Sequence, residues 1–183
     1  MYQRLIQPHG GKLVDRTLQG IAFGGLGDIY HDLGKNEQAI DYYQQQLTIA
    51  QKLDNRVDEG LGLSHIGNVY CSLGEYDKAI DYLQEDLKIA RLIGTRAGEG
   101  RALFALGIVY HSREDYRQAI NYYQQSLTIV QQIQDHFCED KLPANLANAY
   151  YALGDYEKAI AYNQQHLAIV EAKLQQLMRS HSN

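Results

Sequence analysis

The sequence predicts an all-α protein made of four antiparallel helix pairs arranged as a solenoid. Three observations predict it. The chain aligns with itself at a spacing of 40 residues. Apolar residues inside each copy recur three and four apart, the period of a helix with one buried face. Glycine punctuates three of the four copies at the same place. A search for repeats precedes any search for motifs, because a missed repeat misassigns the whole fold.

The aligned segments are "FGGLGDIYHDLGKNEQAIDYYQQQLTIA" (23–50), "LSHIGNVYCSLGEYDKAIDYLQEDLKIA" (63–90), "LFALGIVYHSREDYRQAINYYQQSLTIV" (103–130) and "PANLANAYYALGDYEKAIAYNQQHLAIV" (143–170). Tyr30, Tyr70, Tyr110 and Tyr150 form one column, and Tyr42, Tyr82, Tyr122 and Tyr162 another. With the shorter columns Tyr76, Tyr116, Tyr156 and Tyr43, Tyr123, they hold 13 of the 15 tyrosines. Aromatics placed at the repeat period belong to a repeated packing scheme.

The elements follow in order. Residues 1–15 do not fit the repeat, and Pro8, Gly10 and Gly11 predict an irregular lead-in. Repeat one spans 16–54, repeat two 55–94, repeat three 95–134 and repeat four 135–178, with 179–183 a tail. In repeat one, Leu26, Tyr30 and Leu33 make the stripe of a first helix (A). Ala39, Ile40, Tyr43 and Leu47 make that of a second (B). Gly34, Gly74 and Gly154 stand between the stripes, where a left-handed residue ends helix A. Asp15, Asn55, Thr95 and Asp135 are all good N-caps, which starts helix A just after them in repeats one to three. Gly20, Gly60 and Gly100 then fall inside helix A, each costing ~1 kcal/mol relative to Ala. Close crossing with the preceding helix B is the expected compensation. Gly27, Gly67 and Gly107 are expected to face Ala39, Ala79 and Ala119. Glu114 replaces the turn glycine in repeat three, so that turn must differ or carry strain. Pro143 lies where helix A of repeat four would run, and predicts a late start near Asp140 or a kink. "EAKLQQLMRSHSN" extends the last helix.

The repeat also excludes a tempting motif. The glycines of "FGGLGDIYHDLG" invite a phosphate cradle, which needs a strand before and a helix after. The equivalent residues elsewhere are Ser64, His65, Phe104, Ala105, Ala144 and Asn145. No phosphate-binding loop is expected.

The motifs "LGxxY", "LGxYxxAIxY" and "LxIA" resemble those of the tetratricopeptide repeat (TPR) family over roughly residues 16–170. The family unit is about 34 residues. The longer unit here, with "DNRVDEG" and "GTRAGEG" at the B-to-A junctions, resembles the Leu-Gly-Asn-rich adaptors and many bacterial TPR arrays. The resemblance implies a right-handed superhelix whose A helices line a concave groove. On that basis the groove residues are Asp28 and His31 in repeat one, and His65 and Asn68 in repeat two. Repeat three adds Arg101, Phe104, Ile108 and His111; repeat four adds Asn145, Asn148 and Tyr151. An Asn amide offers a donor and an acceptor, so it pairs with either backbone group of an extended peptide. Phe104 and Ile108 are apolar among polar neighbours and suit a ligand's apolar anchor, or packing between repeats. Arg101 is the arginine expected to meet a carboxylate ligand. Arg56 and Arg96 are expected to pair with Glu59 and Glu99. The family's clamp for chaperone C-termini needs basic residues and Asn where Gly24, Asp28, His65 and Ala105 stand, so that ligand is not expected.

Other classes are argued against. A formal charge of −5 without a Lys/Arg cluster disfavours nucleic acid. No apolar run approaches the ~20 residues that span a bilayer, and "MYQRLIQPHGGK" has no apolar signal core. Cys71 and Cys138 form no CxxC pair, which suits a reducing, cytoplasmic setting. His31, Cys71 and His111 share a column, but successive A helices about 10 Å apart cannot bring them to one metal. No nucleophile–base set or cofactor motif is present. The expectation is a non-catalytic module, without cofactor or metal, that binds a protein or peptide in its groove. The alternative is a structural or regulatory spacer that self-associates through uncapped ends, or a sensor array fused to an effector such as a caspase-like or nucleotide-switching domain.

Overall fold

The computed structural model describes residues 8–133 and 140–180. The described residues form eight helices and no strand: α1 (Pro8–Asp32), α2 (Asn36–Lys52), α3 (Arg56–Ser72), α4 (Tyr76–Leu92), α5 (Arg96–Ser112), α6 (Tyr116–Ile133), α7 (Lys141–Ala152) and α8 (Tyr156–Ser180). They fall into two compact units that divide between Gly94 and Thr95. In unit 1, α1 packs on α2, α2 on α3 and α3 on α4. In unit 2, α5 packs on α6, α6 on α7 and α7 on α8.

One turn chemistry recurs at the end of every A helix. Gly34, Gly74 and Gly154 have φ of 70°, 75° and 78°, and Glu114 adopts the same region at 65°. The peptide N–H of Gly34 donates to His31 O and that of Lys35 to Tyr30 O, at 2.8 Å each. The Glu114 turn repeats both bonds, to His111 O and Tyr110 O, at 2.9 Å. The repeat-three turn therefore keeps its geometry and carries the strain of a left-handed residue with a Cβ.

The predicted N-caps act at two junctions. Asn55 Oδ1 accepts from the Asp58 N–H and Thr95 Oγ1 from the Gly98 N–H. Asp15 does not cap, because α1 begins at Pro8 and runs through it. Proline suits a first helical position, where its missing N–H would have no partner; the irregular lead-in is corrected for residues 8–15, and residues 1–7 lie outside the described set. Asp135 lies outside it too. Helix α7 starts at Lys141, which puts Pro143 in the first turn, where no intrahelical bond is lost.

The core of unit 1 gathers Ala39, Tyr43, Leu47, Leu63, Ile66 and Val69; that of unit 2 centres on Ile120, Tyr123, Val130, Leu142 and Leu146. The tyrosine columns meet in pairs. Tyr30 stacks on Tyr42, Tyr70 on Tyr82, Tyr110 on Tyr122 and Tyr150 on Tyr162, with centroids 5.2–5.6 Å apart. Each stack ties an A helix to its own B helix and contributes ~0.5–1.5 kcal/mol beyond area burial.

Three packing expectations are corrected. The helix-A glycines meet the helix B that follows them: a Cβ at Gly20 would lie 3.4 Å from Ile49, and one at Gly100 3.3 Å from Ile129. Gly27 and Gly107 face the rings of Tyr43 and Tyr123, where a Cβ would come within 2.4 Å; Gly67 faces Leu83 and also, as expected, Ala79, whose carbonyl oxygen would lie 3.3 Å from a Cβ there. The alanines are buried beside them. In α1, Leu26 is 37% exposed and Leu33 62%. Ile66, the equivalent of Leu26, is buried because α2 packs against α3. Among the described residues no helix B precedes α1.

Candidate functional site

Over residues 16–32, the buried positions of α1 are all glycine. Gly20, Gly24 and Gly27 are buried in a row against α2. Gly25, beside them, is exposed, and a Cβ there meets no atom within 4 Å outside its own helical turn. Without side chains on this stretch, the surface opens into a cavity of about 240 Å³ between α1, α2 and α3. Its apolar wall includes Ile21, Ile49 and Leu61; its polar groups include Asp28, Gln46, Asp58 and His65.

Those polar groups are held from several sides. The Tyr43 hydroxyl donates to Asp28 Oδ1 at 2.7 Å. Burial and that bond push the Tyr43 phenol far above its ordinary range. The His65 ring lies 4.7 Å from the Tyr43 ring. Burial lowers the His65 pKa, an effect that Asp28 opposes and His31 reinforces, so the ring is neutral at pH 7. Gln46 is 8% exposed. Its Oε1 and His65 Nδ1 are buried without a hydrogen-bond partner. Unpaired buried polar atoms cost free energy in the free protein and gain most from a ligand that pairs them.

Unit 2 uses the equivalent positions differently. Phe104 stands in the Gly24 column, is buried, and packs 5.8 Å from Tyr123. Of the two expectations for Phe104, packing is the one met: it is a core residue beside α6 and α7 and not an exposed anchor. Ser126, in the Gln46 column, donates to Gly100 O at 2.7 Å. Asn145, in the His65 column, donates to Lys141 O at 2.9 Å and accepts from the Tyr123 hydroxyl. Its amide thus has partners within the unit.

The other predicted residues divide by exposure. Asp28, Asn68, Ile108 and Asn148, one column of the repeat, are all exposed; Arg101, in another column, is exposed too. Tyr151 is 66% exposed and meets Tyr156 edge-on. His31 is half-buried, with Nε2 3.2 Å from Ser72 Oγ. His111, also half-buried, lies edge-on to Tyr116, and burial lowers its pKa. Arg56 and Arg96 pair with Glu59 and Glu99 at 2.8 and 2.6 Å, as expected. Among the described residues no group of three or more His, Cys, Asp and Glu converges on a metal position, and no helix is long and apolar enough to cross a membrane. No repeat column by itself marks the cavity. Its signal was the glycine-rich stretch of α1, together with the change from Gln46 to Ser126 in one column.

Models of the tetratricopeptide repeat match residues 17–85, 58–132 and 142–177. No curated protein is similar enough to match. Among solved structures the chain is similar to aspartyl phosphate phosphatase F from Bacillus subtilis, with TM-score 0.81 and 19% identity, covering 86% of this chain and 42% of that one. A Rap protein complexed with competence and sporulation factor gives 0.77 and 17%, covering 86% and 43%. A signal-transduction ATPase with a tetratricopeptide repeat sensor, from Pyrococcus horikoshii, gives 0.71 and 25%, covering 82% and 24%. The chain thus spans less than half the length of each of these proteins.

Proposed function

The chain belongs to the tetratricopeptide repeat family, and from that premise we propose that it is a protein-interaction module whose A helices bind a segment of a partner. One observation carries this reading. The column Asp28, Asn68, Ile108 and Asn148 is exposed, while Val69, Val109 and Ala149, each one residue further along the chain from its member, are buried. The fold is held by the buried columns, which leaves the exposed one free to be set by a ligand. Asn68 and Asn148 supply donor and acceptor to a peptide backbone, and Arg101 a fork for a carboxylate. Rigid helices limit the entropy lost on binding. Chemistry is not part of the proposal, since the fold is generally a non-catalytic scaffold.

A peptide library displayed against the full chain tests the reading. Peptides it selects lose at least tenfold in affinity to a chain carrying Asn68→Ala and Asn148→Ala, at unchanged helical signal. Unchanged binding removes the A-helix face from the account.

A second reading has its own observation. Helix α8 exposes Ile160, Leu167, Val170, Leu174 and Leu177, and α1 exposes Leu18, Ile29 and Leu33. Such faces suit end-to-end stacking of copies or of further repeats, as in a spacer or a sensor array. Sedimentation over a hundredfold concentration range separates the two: a constant monomer mass opposes self-stacking, and rising mass supports it.

A further inference from the structure

The cavity in unit 1 has a chemistry of its own. Two carboxylates, Asp28 and Asp58, border it, and among the described residues no Lys or Arg does. His65 adds no positive charge, because burial keeps its ring neutral. Gln46, more than nine-tenths buried, lines it as well, and its Oε1 is buried with no hydrogen-bond partner. A site bordered by carboxylates and holding an unpaired acceptor favours a cationic donor. Its remaining wall is apolar, with Ile21, Ile49 and Leu61 beside the bare backbone of Gly24 and Gly25. That combination fits a charged head on an aliphatic stem better than it fits a compact ion.

We propose that the cavity between α1, α2 and α3 receives a basic side chain, arginine or lysine, from the partner's peptide. The stem lies along Ile21, Ile49 and Leu61, and the head donates to Asp28 and Gln46 Oε1. This rests on the A-helix reading above and narrows it to a partner segment with at least one basic residue. Unit 2 does not offer a second such socket at its equivalent positions, because Phe104 occupies the Gly24 place and Ile108 the Asp28 place.

The test uses the full chain and a capped Gly-Arg-Gly tripeptide, followed by chemical-shift titration. Its citrulline counterpart keeps the shape and loses the charge. Expected is saturable binding of the arginine peptide in the millimolar range, at least tenfold weaker binding of the citrulline peptide, and loss of binding in Gly25→Leu. A side chain at position 25 has room to stand, so that variant folds; far-UV circular dichroism checks this. Asp28→Asn keeps the acceptor for Tyr43 and is expected to weaken the arginine peptide at least fivefold. Equal affinity for the two peptides, no saturable binding, or full binding in Gly25→Leu overturns the proposal. The library peptides distinguish the two failures. If they need Asn68 and Asn148 but carry no basic residue and ignore Gly25→Leu, the cavity assignment falls and the A-helix reading stands. If they are rich in arginine or lysine and are excluded by Gly25→Leu, both stand.

Discussion

Positions 24 and 104 are the same place in the repeat, two repeats apart, and the two units treat it in opposite ways. Unit 2 fills it with Phe104 against Tyr123 and satisfies the polar groups around it through Ser126 and Asn145. Unit 1 leaves glycine there, and around the space that results it keeps Asp28, His65 and an unpaired Gln46 oxygen. The backbone scheme is common to both, down to the stacked tyrosines and the left-handed residue that ends each A helix. The difference teaches that the repeat's architecture is carried by one set of columns and its surface chemistry by another. A single column can move from core to cavity without disturbing the helix pair.

The largest effect that would break this comparison is expected at Phe104. Phe104→Ala empties a buried site and is expected to cost about 3–5 kcal/mol in chemical denaturation. A loss under ~1 kcal/mol would mean that unit 2 does not depend on the filling. Next come the glycines under the tyrosine rings. Gly107→Ala and Gly27→Ala each drive a Cβ against a ring and are expected to destabilise by about 1–3 kcal/mol. Gly25→Ala meets open space in a helix, and is expected to stabilise by up to ~1 kcal/mol. Opposite signs two residues apart in α1 would sharpen the contrast between its packed and open faces. Glu114→Gly relieves a left-handed residue and is expected to add about 1 kcal/mol, read as a raised Tm.

The smallest expected effect is on pH dependence. Burial holds the folded His65 pKa below its ordinary value, so in the window beneath ~6.5 the unfolded chain binds more protons. Stability therefore falls as pH drops through that window, and this contribution is absent above it. His65→Asn copies the residue of unit 2 and should flatten part of the fall in Tm between pH 7.5 and 5.5; His111 supplies a similar part that remains. An unchanged slope would place His65 outside the buried set.

Much of this was legible in the sequence, for reasons visible in particular residues. Local conformation was the clearest. A glycine between two helical stripes signals a left-handed turn wherever it occurs, and Pro143 could be accommodated only if its helix began late. The repeat period itself identified the tyrosine columns. What each column faces depends on how two helices cross, and that is not a local property. Gly27 could therefore be recognised as a close-approach site but not as the seat of the Tyr43 ring. Phe104, apolar among polar neighbours, reads either as a ligand's anchor or as packing between repeats, and its burial beside Leu142 and Leu146 decides for packing. The start of α1 was missed because Pro8, Gly10 and Gly11 read as breakers, although a first helical turn tolerates proline. Asn145 shows the same limit: its column does not reveal that its amide bonds to Lys141 O and to the Tyr123 hydroxyl.

The most direct measurement is an amide chemical-shift map of the full chain as the capped arginine tripeptide is added. Shifts are expected to concentrate at Gly20–Asp28 of α1, around Gln46 and at His65, with Phe104–Ile108 of α5 unmoved. Shifts as large at Phe104–Ile108 as at Gly20–Asp28, or none at either, would contradict that pattern.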